Sequence, residues 1–408
     1  MPHTKDNKTK VIDNSEMNKR RETKQNRKTH ILLICIGVAL AVFLVVFFAV
    51  GGYEKILDFL EIERDVSVTP TVTYVEAEIK GNILLAGKNG TTIVYDEQGV
   101  TGYGTDGKWK WHEMCSVSNP AFSDCGEFAV VADVGGTAAY AFDENGIVWK
   151  YGSGNVIKSV FGKGKFICII HEENEYLSAA TIYEYDSKTS SLKELFTRKF
   201  STHYMLTGAI SNNGKQMVLS GVFSDGGVAS GIISFIKMAD GEIFSGEVTE
   251  NNTYVKTFYA SDDSVFAVNS DSVRVFYKEM SVSSGKDREN VLWNRNSKQD
   301  SVVNASLLND KYILIAIGNE NADKSTVKAF DTSGKESLNL EIEGNIIGMD
   351  SEGETFMVYT DSHAYLYNSK GLLIGKVEAG FKIAHAVCTD SRHIGICGEG
   401  KLLTASFE

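Results

Sequence analysis

Proline is almost missing from this chain, 3 residues against 38 glycines. A sequence so poor in proline, yet well supplied with aromatic and β-branched residues, is neither disordered nor low in complexity. Cysteine is sparse too. Of six, Cys35 lies inside an apolar run, which leaves Cys115, Cys125, Cys168, Cys388 and Cys397 in the remainder. An odd number in a chain of this size is not a disulfide framework. Cys388 and Cys397 flank a predicted turn, and two readings stay open for them: a bridge across a hairpin, or two buried thiols. No C-x-x-C occurs, so a zinc ribbon and a thioredoxin motif are both excluded.

The catalytic vocabulary is equally thin. The histidines beyond the tail (His112, His171, His203, His363, His385 and His393) stand singly, without H-x-x-x-H or H-E-x-x-H. There is no G-x-S-x-G elbow. Gly135-Gly136 and Gly226-Gly227 have no strand–loop–helix context for phosphate. Asp143-Glu144-Asn145-Gly146 lacks the ligand series of a calcium loop and reads as a hairpin turn. No catalytic, metal-ligating or cofactor-binding residue is assigned, no cofactor is expected, and the balance falls on the side of a protein that is not an enzyme.

Charge and hydropathy are unevenly spread. Residues 1–30 carry nine Lys/Arg against four acids, so +5, and the net charge of −12 leaves −12 − 5 = −17 for the rest. So acidic a body argues against nucleic acid, whose phosphates require a basic face. Residues 31–50 (ILLICIGVALAVFLVVFFAV) hold no charge, amide or proline, and about twenty helical residues span a hydrocarbon core. The charge step predicts a basic, disordered cytoplasmic tail (1–29), an uncleaved signal-anchor helix (30–52), a short amphipathic stalk (53–65) and a large extracytoplasmic domain (66–408). The basic cluster between Lys19 and Lys28 is also compatible with anionic lipid head groups.

Past residue 66 the pattern is β throughout, and it repeats. A polar turn precedes a short apolar strand at 83–87, 128–133, 166–171, 216–221, 265–270, 312–318, 355–360 and 394–400. Each is followed by a second turn and a partner strand, such as TTIVYDEQG (91–99) or AAYAFDENG (138–146). The spacing of roughly 38–50 residues is that of a four-stranded propeller blade. Eight units fill the chain, with seven as the alternative count. The expected fold is an all-β, eight-bladed β-propeller behind a single membrane helix. The last unit stops after its third strand, so the β-rich segment 66–73 is expected to complete it.

Two segments, GTDGKWKW (104–111) and FDENGIVW (142–149), resemble the Asp-x-x-Gly-x-x-x-Trp ends of quinoprotein-type blades. In that family a Trp docks each blade on its neighbour, which implies structural roles for Trp111 and Trp149. The Gly-His and Trp-Asp pairs of WD40 repeats are missing. The arrangement of basic tail, single span and degenerate blades is similar to a bacterial family of membrane-anchored propellers of unknown function.

Binding residues are sought where short turns give way to longer connections, because loops on a rigid scaffold carry recognition. The candidates are His171 and Glu172 (171–179), Asp225 (222–230), and Lys286, Asp287 and Arg288 (281–290), with 319–325 a further long connection. Asp124, Asp262, Asp263, Asp350 and Asp390 recur in the turns before second strands; such acids mostly bond backbone amides, and a ring of them at one mouth would suit a cation. The expected function is a membrane-tethered binding or scaffold module for a protein, peptide or cell-wall component of the envelope. The alternative is an envelope enzyme or ligand sensor with its site in the central channel.

Overall fold

Segments such as FICIIH are apolar at every position, which a strand shows when both of its faces are covered. The computed structural model supplies those covers. It describes residues 68–407 apart from 76–78, 82, 153, 226–227, 250–251, 278–288 and 320–322. The tail, the apolar run and the stalk lie outside the described residues. Among the described residues no helix is long and apolar enough to cross a membrane.

Eight four-stranded antiparallel sheets account for all the strands described. Numbered as blades in chain order, their innermost strands are Leu84–Lys88, Pro120–Asp124, Ile157–Lys163, His203–Ile210, Lys256–Tyr259, Asp300–Leu308, Gly348–Glu352 and His385–Cys388. Inner strands of successive blades lie side by side except between blades 5 and 6, which meet through the Ala260, Phe266 and Ile313 cluster, and that of blade 8 returns to that of blade 1, closing the ring. Blade 8 is completed from the other end of the chain: Thr71–Val75 pairs with Lys401–Ser406, from Thr71 opposite Ser406 to Val75 opposite Leu402. The eight-unit count and the borrowed strand are both present.

The buried apolar side chains fall into eight clusters, one for each seam between blades. Ile93, Tyr95 and Val100 of blade 1 meet Ala129, Val131 and Phe142 of blade 2. Because strand side chains alternate, Ile167 and Ile169 face the blade 2 seam while Cys168 and Ile170 face the blade 4 seam. The same parity decides between the readings of the last two cysteines. Cys388 belongs to the seam with blade 7 and Cys397 to the seam with blade 1. Cys397 pairs with His385, and Cys388 with Ile394, three positions along. They are free, buried thiols.

One repeat boundary needs correction. In seven blades the apolar strand picked out by the repeat is the second strand, but in blade 1 it is the innermost, Leu84–Lys88, and Thr91–Asp96 is the second. Asn89-Gly90, both with positive φ (43° and 73°), make the tight turn between them. The inner strand of blade 1 is as apolar as a second strand, which disguised it.

Candidate functional site

Strand direction gives the ring two unlike faces. Inner strands begin on one, which also carries the turns between second and third strands and the crossings between blades. They end on the other, where the chain enters at Val68. These are called here the hairpin face and the entry face.

On the entry face the inner strands end in charge. Lys88 is buried and holds the Asp124 carboxylate and the Gly126 carbonyl of blade 2. Lys163 of blade 3 reaches Asp310 of blade 6 at 3.3 Å, a pair that crosses the mouth. Glu352 of blade 7 is pushed above its usual pKa by burial, with Lys88, Asp124, Asp390 and Lys163 acting on it from four other blades. The channel is therefore crossed by charges at this end. The turn acids mostly bond backbone: Asp124 accepts from Gly126 N, Asp262 from Ser264 N, and Asp390 from Arg392 N and His393 N. Asp350 lies within an inner strand rather than in a turn.

Polar contacts run along the channel wall from blade to blade. Lys256 of blade 5 donates to Asn304 Oδ1 (3.1 Å) and Ala305 O (3.4 Å) of blade 6. Ser306 meets Ser351 of blade 7 at 2.5 Å, and Asp350 accepts from Cys388 N of blade 8 at 2.9 Å. Asp350 keeps some contact with channel water, yet protein surrounds it and desolvation lifts its pKa to about 6. Lys256 is exposed although it sits on an innermost strand, and desolvation lowers its pKa. Two histidines open inner strands, His203 and His385, but on blades 4 and 8, opposite sides of the ring.

The hairpin face differs in shape and chemistry. Two connections read as loops are strand extensions. In blade 3, Phe166–Glu173 and Tyr176–Asp186 stay paired up to Glu173 opposite Tyr176. In blade 4, Gln216–Asp225 and Val228–Lys237 stay paired up to Asp225 opposite Val228. Polar residues hid the extensions, because strands that rise past their neighbours are no longer covered by them. His171 is buried, its Nδ1 bonded to Glu172 O and its Nε2 to Thr181 Oγ1, each at 2.8 Å. Glu172 pairs with Lys158 at 2.5 Å. His171 thus stabilises the hairpin, and Glu172 stands beside the inner strand. Asp225 ends its strand, and Lys286, Asp287 and Arg288 lie outside the described residues.

Trp111 of blade 1 stacks on Phe142 of blade 2 (5.7 Å, 4°) and donates to Glu144 O at 3.1 Å. Trp149 of blade 2 is buried edge-on to Phe128, in the cluster that also takes Tyr183 and Tyr185 of blade 3.

The sequence missed the apolar rim. Of nine large apolar side chains that remain exposed among the described residues, seven lie on the hairpin face: Tyr74, Met114, Tyr176, Leu177, Val255, Val303 and Ile347. Trp109 is near the entry face and Val291 on an outer strand. Two open cavities, of about 480 and 340 Å³, are also on the hairpin face, one beside Leu84, Pro120 and His385, the other beside Asp361, Glu378 and Phe381. Val255, Val303 and Ile347 carry no signal of their own in sequence, since each belongs to a β-rich stretch like any core valine.

Fold and site together define an eight-bladed β-propeller, closed by its own N-terminal strand and asymmetric between its two faces. The chain belongs to DUF5711, a family of unknown function whose model matches residues 68–402. No curated protein matches it in sequence. Among solved structures it is similar to Sqt1 of Saccharomyces cerevisiae (11% identity, TM-score 0.55, covering 84% of this chain and 99% of that one). It is also similar to Sqt1 of Chaetomium thermophilum bound to the N-terminus of ribosomal protein L10 (12%, TM-score 0.53, 81% and 98%). A third is the Cps50 (Swd1) propeller domain of Myceliophteria thermophila (9%, TM-score 0.50, 83% and 100%). At these identities the likeness is one of fold.

Proposed function

We propose that the propeller is a non-catalytic binding module that docks a protein of the cell envelope on its hairpin face, tethered to the membrane by residues 31–50 with the large domain outside. The observation that carries this is the concentration of exposed apolar side chains on one face, seven of the nine among the described residues, together with two open cavities. Apolar surface gathered on one side of an otherwise acidic domain marks an interaction site. The structure of one propeller of like fold with a chain terminus of its partner agrees with this mode of use.

Photo-crosslinking in cells tests it. A photoreactive residue at Val303 or Ile347 is expected to give a discrete adduct, and one at Lys311 or Lys335, on the entry face, none. Adducts confined to the entry-face positions would refute the assignment. The tether has its own test: a cysteine placed at Lys335 of the full chain should react with a membrane-impermeant maleimide in intact spheroplasts, and protection there refutes an outside domain.

A further inference from the structure

Four lysines lie on the innermost strands described, and three of them hold a carboxylate. Lys88 holds Asp124, Lys158 holds Glu172 and Lys163 holds Asp310. The fourth, Lys256, bonds among the described residues only neutral oxygens, those of Asn304 and Ala305. An ammonium has three protons to donate, and two are used. One proton is therefore left to donate, and a carboxylate that reaches this exposed ammonium gains a charge-assisted hydrogen bond. Asp350, two blades away, acts on Lys256 through space and accepts from Cys388 N, without a direct bond to the ammonium.

The surroundings narrow the class of anion. Val255 precedes Lys256, Val303 precedes Asn304, and Ile347 begins the next blade; all three are exposed on the hairpin face. A guest must therefore bring aliphatic surface beside its negative charge. The channel behind them does not let a chain run through, because the Lys163–Asp310 pair crosses the far mouth and Lys88–Asp124 flanks it. What enters from the hairpin face has to end inside. The domain's net negative charge disfavours small free anions at long range, whereas a carboxylate carried by a docked apolar segment is held close by its own contacts.

We infer that the mouth formed by blades 5, 6 and 7 receives the C-terminal end of a partner polypeptide, its aliphatic last residues on Val255, Val303 and Ile347 and its terminal carboxylate on the Lys256 ammonium. This rests on the hairpin face being the docking face and adds the chemistry of what docks there.

Binding of two fluorescent peptides to the full chain in detergent micelles, followed by anisotropy, tests the inference. One ends in Val-Leu-Val with a free carboxylate; the other is its C-terminal carboxamide. The acid is expected to bind at least about tenfold more tightly, since a hydrogen bond to a charged group contributes roughly 1.5–3 kcal/mol. In Lys256→Met that preference should vanish while the melting temperature stays near that of the parent. In Val303→Glu both peptides should weaken. A third peptide with the acid moved to an internal Glu separates a chain end from a side-chain carboxylate. The inference is overturned if acid and amide bind alike, if Lys256→Met keeps the preference, if the internal Glu binds as well as the free end, or if neither peptide binds. Adducts at Val303 and Ile347 with no such preference would leave the docking face standing and remove only the carboxylate.

Discussion

Gly87 sits where the ring closes, and replacing it by alanine is the sharpest test of that closure. A Cβ at this position would lie 1.8 Å from Cys388 O, 2.7 Å from Cys388 C and 2.9 Å from Thr389 Cα. All three are backbone atoms of blade 8, so no flexible side chain can swing aside. Carbon contacts settle at roughly 3.5–4.0 Å, and the seam would have to open by about 1.5 Å or more. That movement pulls Leu85 and Val94 away from Cys397 and Leu402 and stretches the Gly90 N to Thr389 O hydrogen bond of 2.9 Å. Overpacking costs about 1–3 kcal/mol and the hydrogen bond about 1; the lower chain entropy of alanine returns about 0.4–1. A net loss of about 2 kcal/mol follows, which lowers Tm by roughly 3 °C in a domain of this size. Gly152→Ala is the control: nothing lies within 4 Å of its added Cβ and its φ is not left-handed, so its melting should match the parent. Thermal unfolding by circular dichroism of the full chain decides. If Gly87→Ala melts with the parent, blades 8 and 1 are not in backbone contact and the ring is not closed as described.

Asp350 predicts a pH dependence of stability. Its pKa rises from 3.8 to about 6 because burial disfavours the carboxylate. Below both values the acid is neutral folded or unfolded and nothing is lost. Between about pH 4 and 6 the unfolded chain releases this proton first, so stability falls as pH rises, and above 6 the penalty stays constant at about 3 kcal/mol. Asp350→Asn should therefore stabilise the protein at pH 7.5 and leave it unchanged at pH 4, as read by urea unfolding; a variant less stable at pH 7.5 would mean that the charge is usefully engaged by a lysine. The thiols give another expectation. Burial pushes Cys125 and Cys397 up to about 12 and Cys115 to about 11, and Cys168 and Cys388 well above their usual value. None of the five should be alkylated by iodoacetamide at pH 8 without denaturant, and prompt labelling of any, located by mass spectrometry, would show that its seam opens.

The parts of the fold that were legible in sequence are those the seams dictate. Second and third strands are covered on both faces, so Phe166–Glu173 or Thr355–Tyr359 must be apolar almost throughout, and that requirement repeats with every blade. The closing strand was legible by elimination, since a blade lacking its fourth strand leaves Lys401–Ser406 with an unpaired edge. Inner strands are harder to read. Each has one edge on water, and their sequences range from LLAGK to HAVC, which is how blade 1 came to be shifted by one strand. The site was hidden for a related reason. Lys256, Asn304 and Asp350 come from three blades separated by nearly fifty residues each, and no local pattern links them. His171 looked like a loop residue because Glu172, Glu173 and Glu175 around it are those of an exposed segment; pairing of the hairpin puts its ring inside, against Thr181.

The asymmetry of the two faces follows from what a propeller leaves free. With eight seams packed, a change in a second or third strand disturbs two neighbours at once, so variation is pushed into turns and the exposed ends of inner strands. Among the described residues of the entry face, the turn acids Asp124 and Asp390 accept from backbone amides, and lysines from blades 1 and 3 pair with Asp124 and Asp310. The charges described there are engaged with one another or with backbone. On the hairpin face, strands of blades 3 and 4 rise past their neighbours, aliphatic side chains face water, and one lysine keeps a proton unspent. Exposed apolar area raises the free energy of the isolated protein, and the Lys256 ammonium has a proton left to donate. A partner that covers the one and pairs with the other gains from both contacts, which is why the binding reading is placed on this face and not in the turns that sequence alone brings to attention.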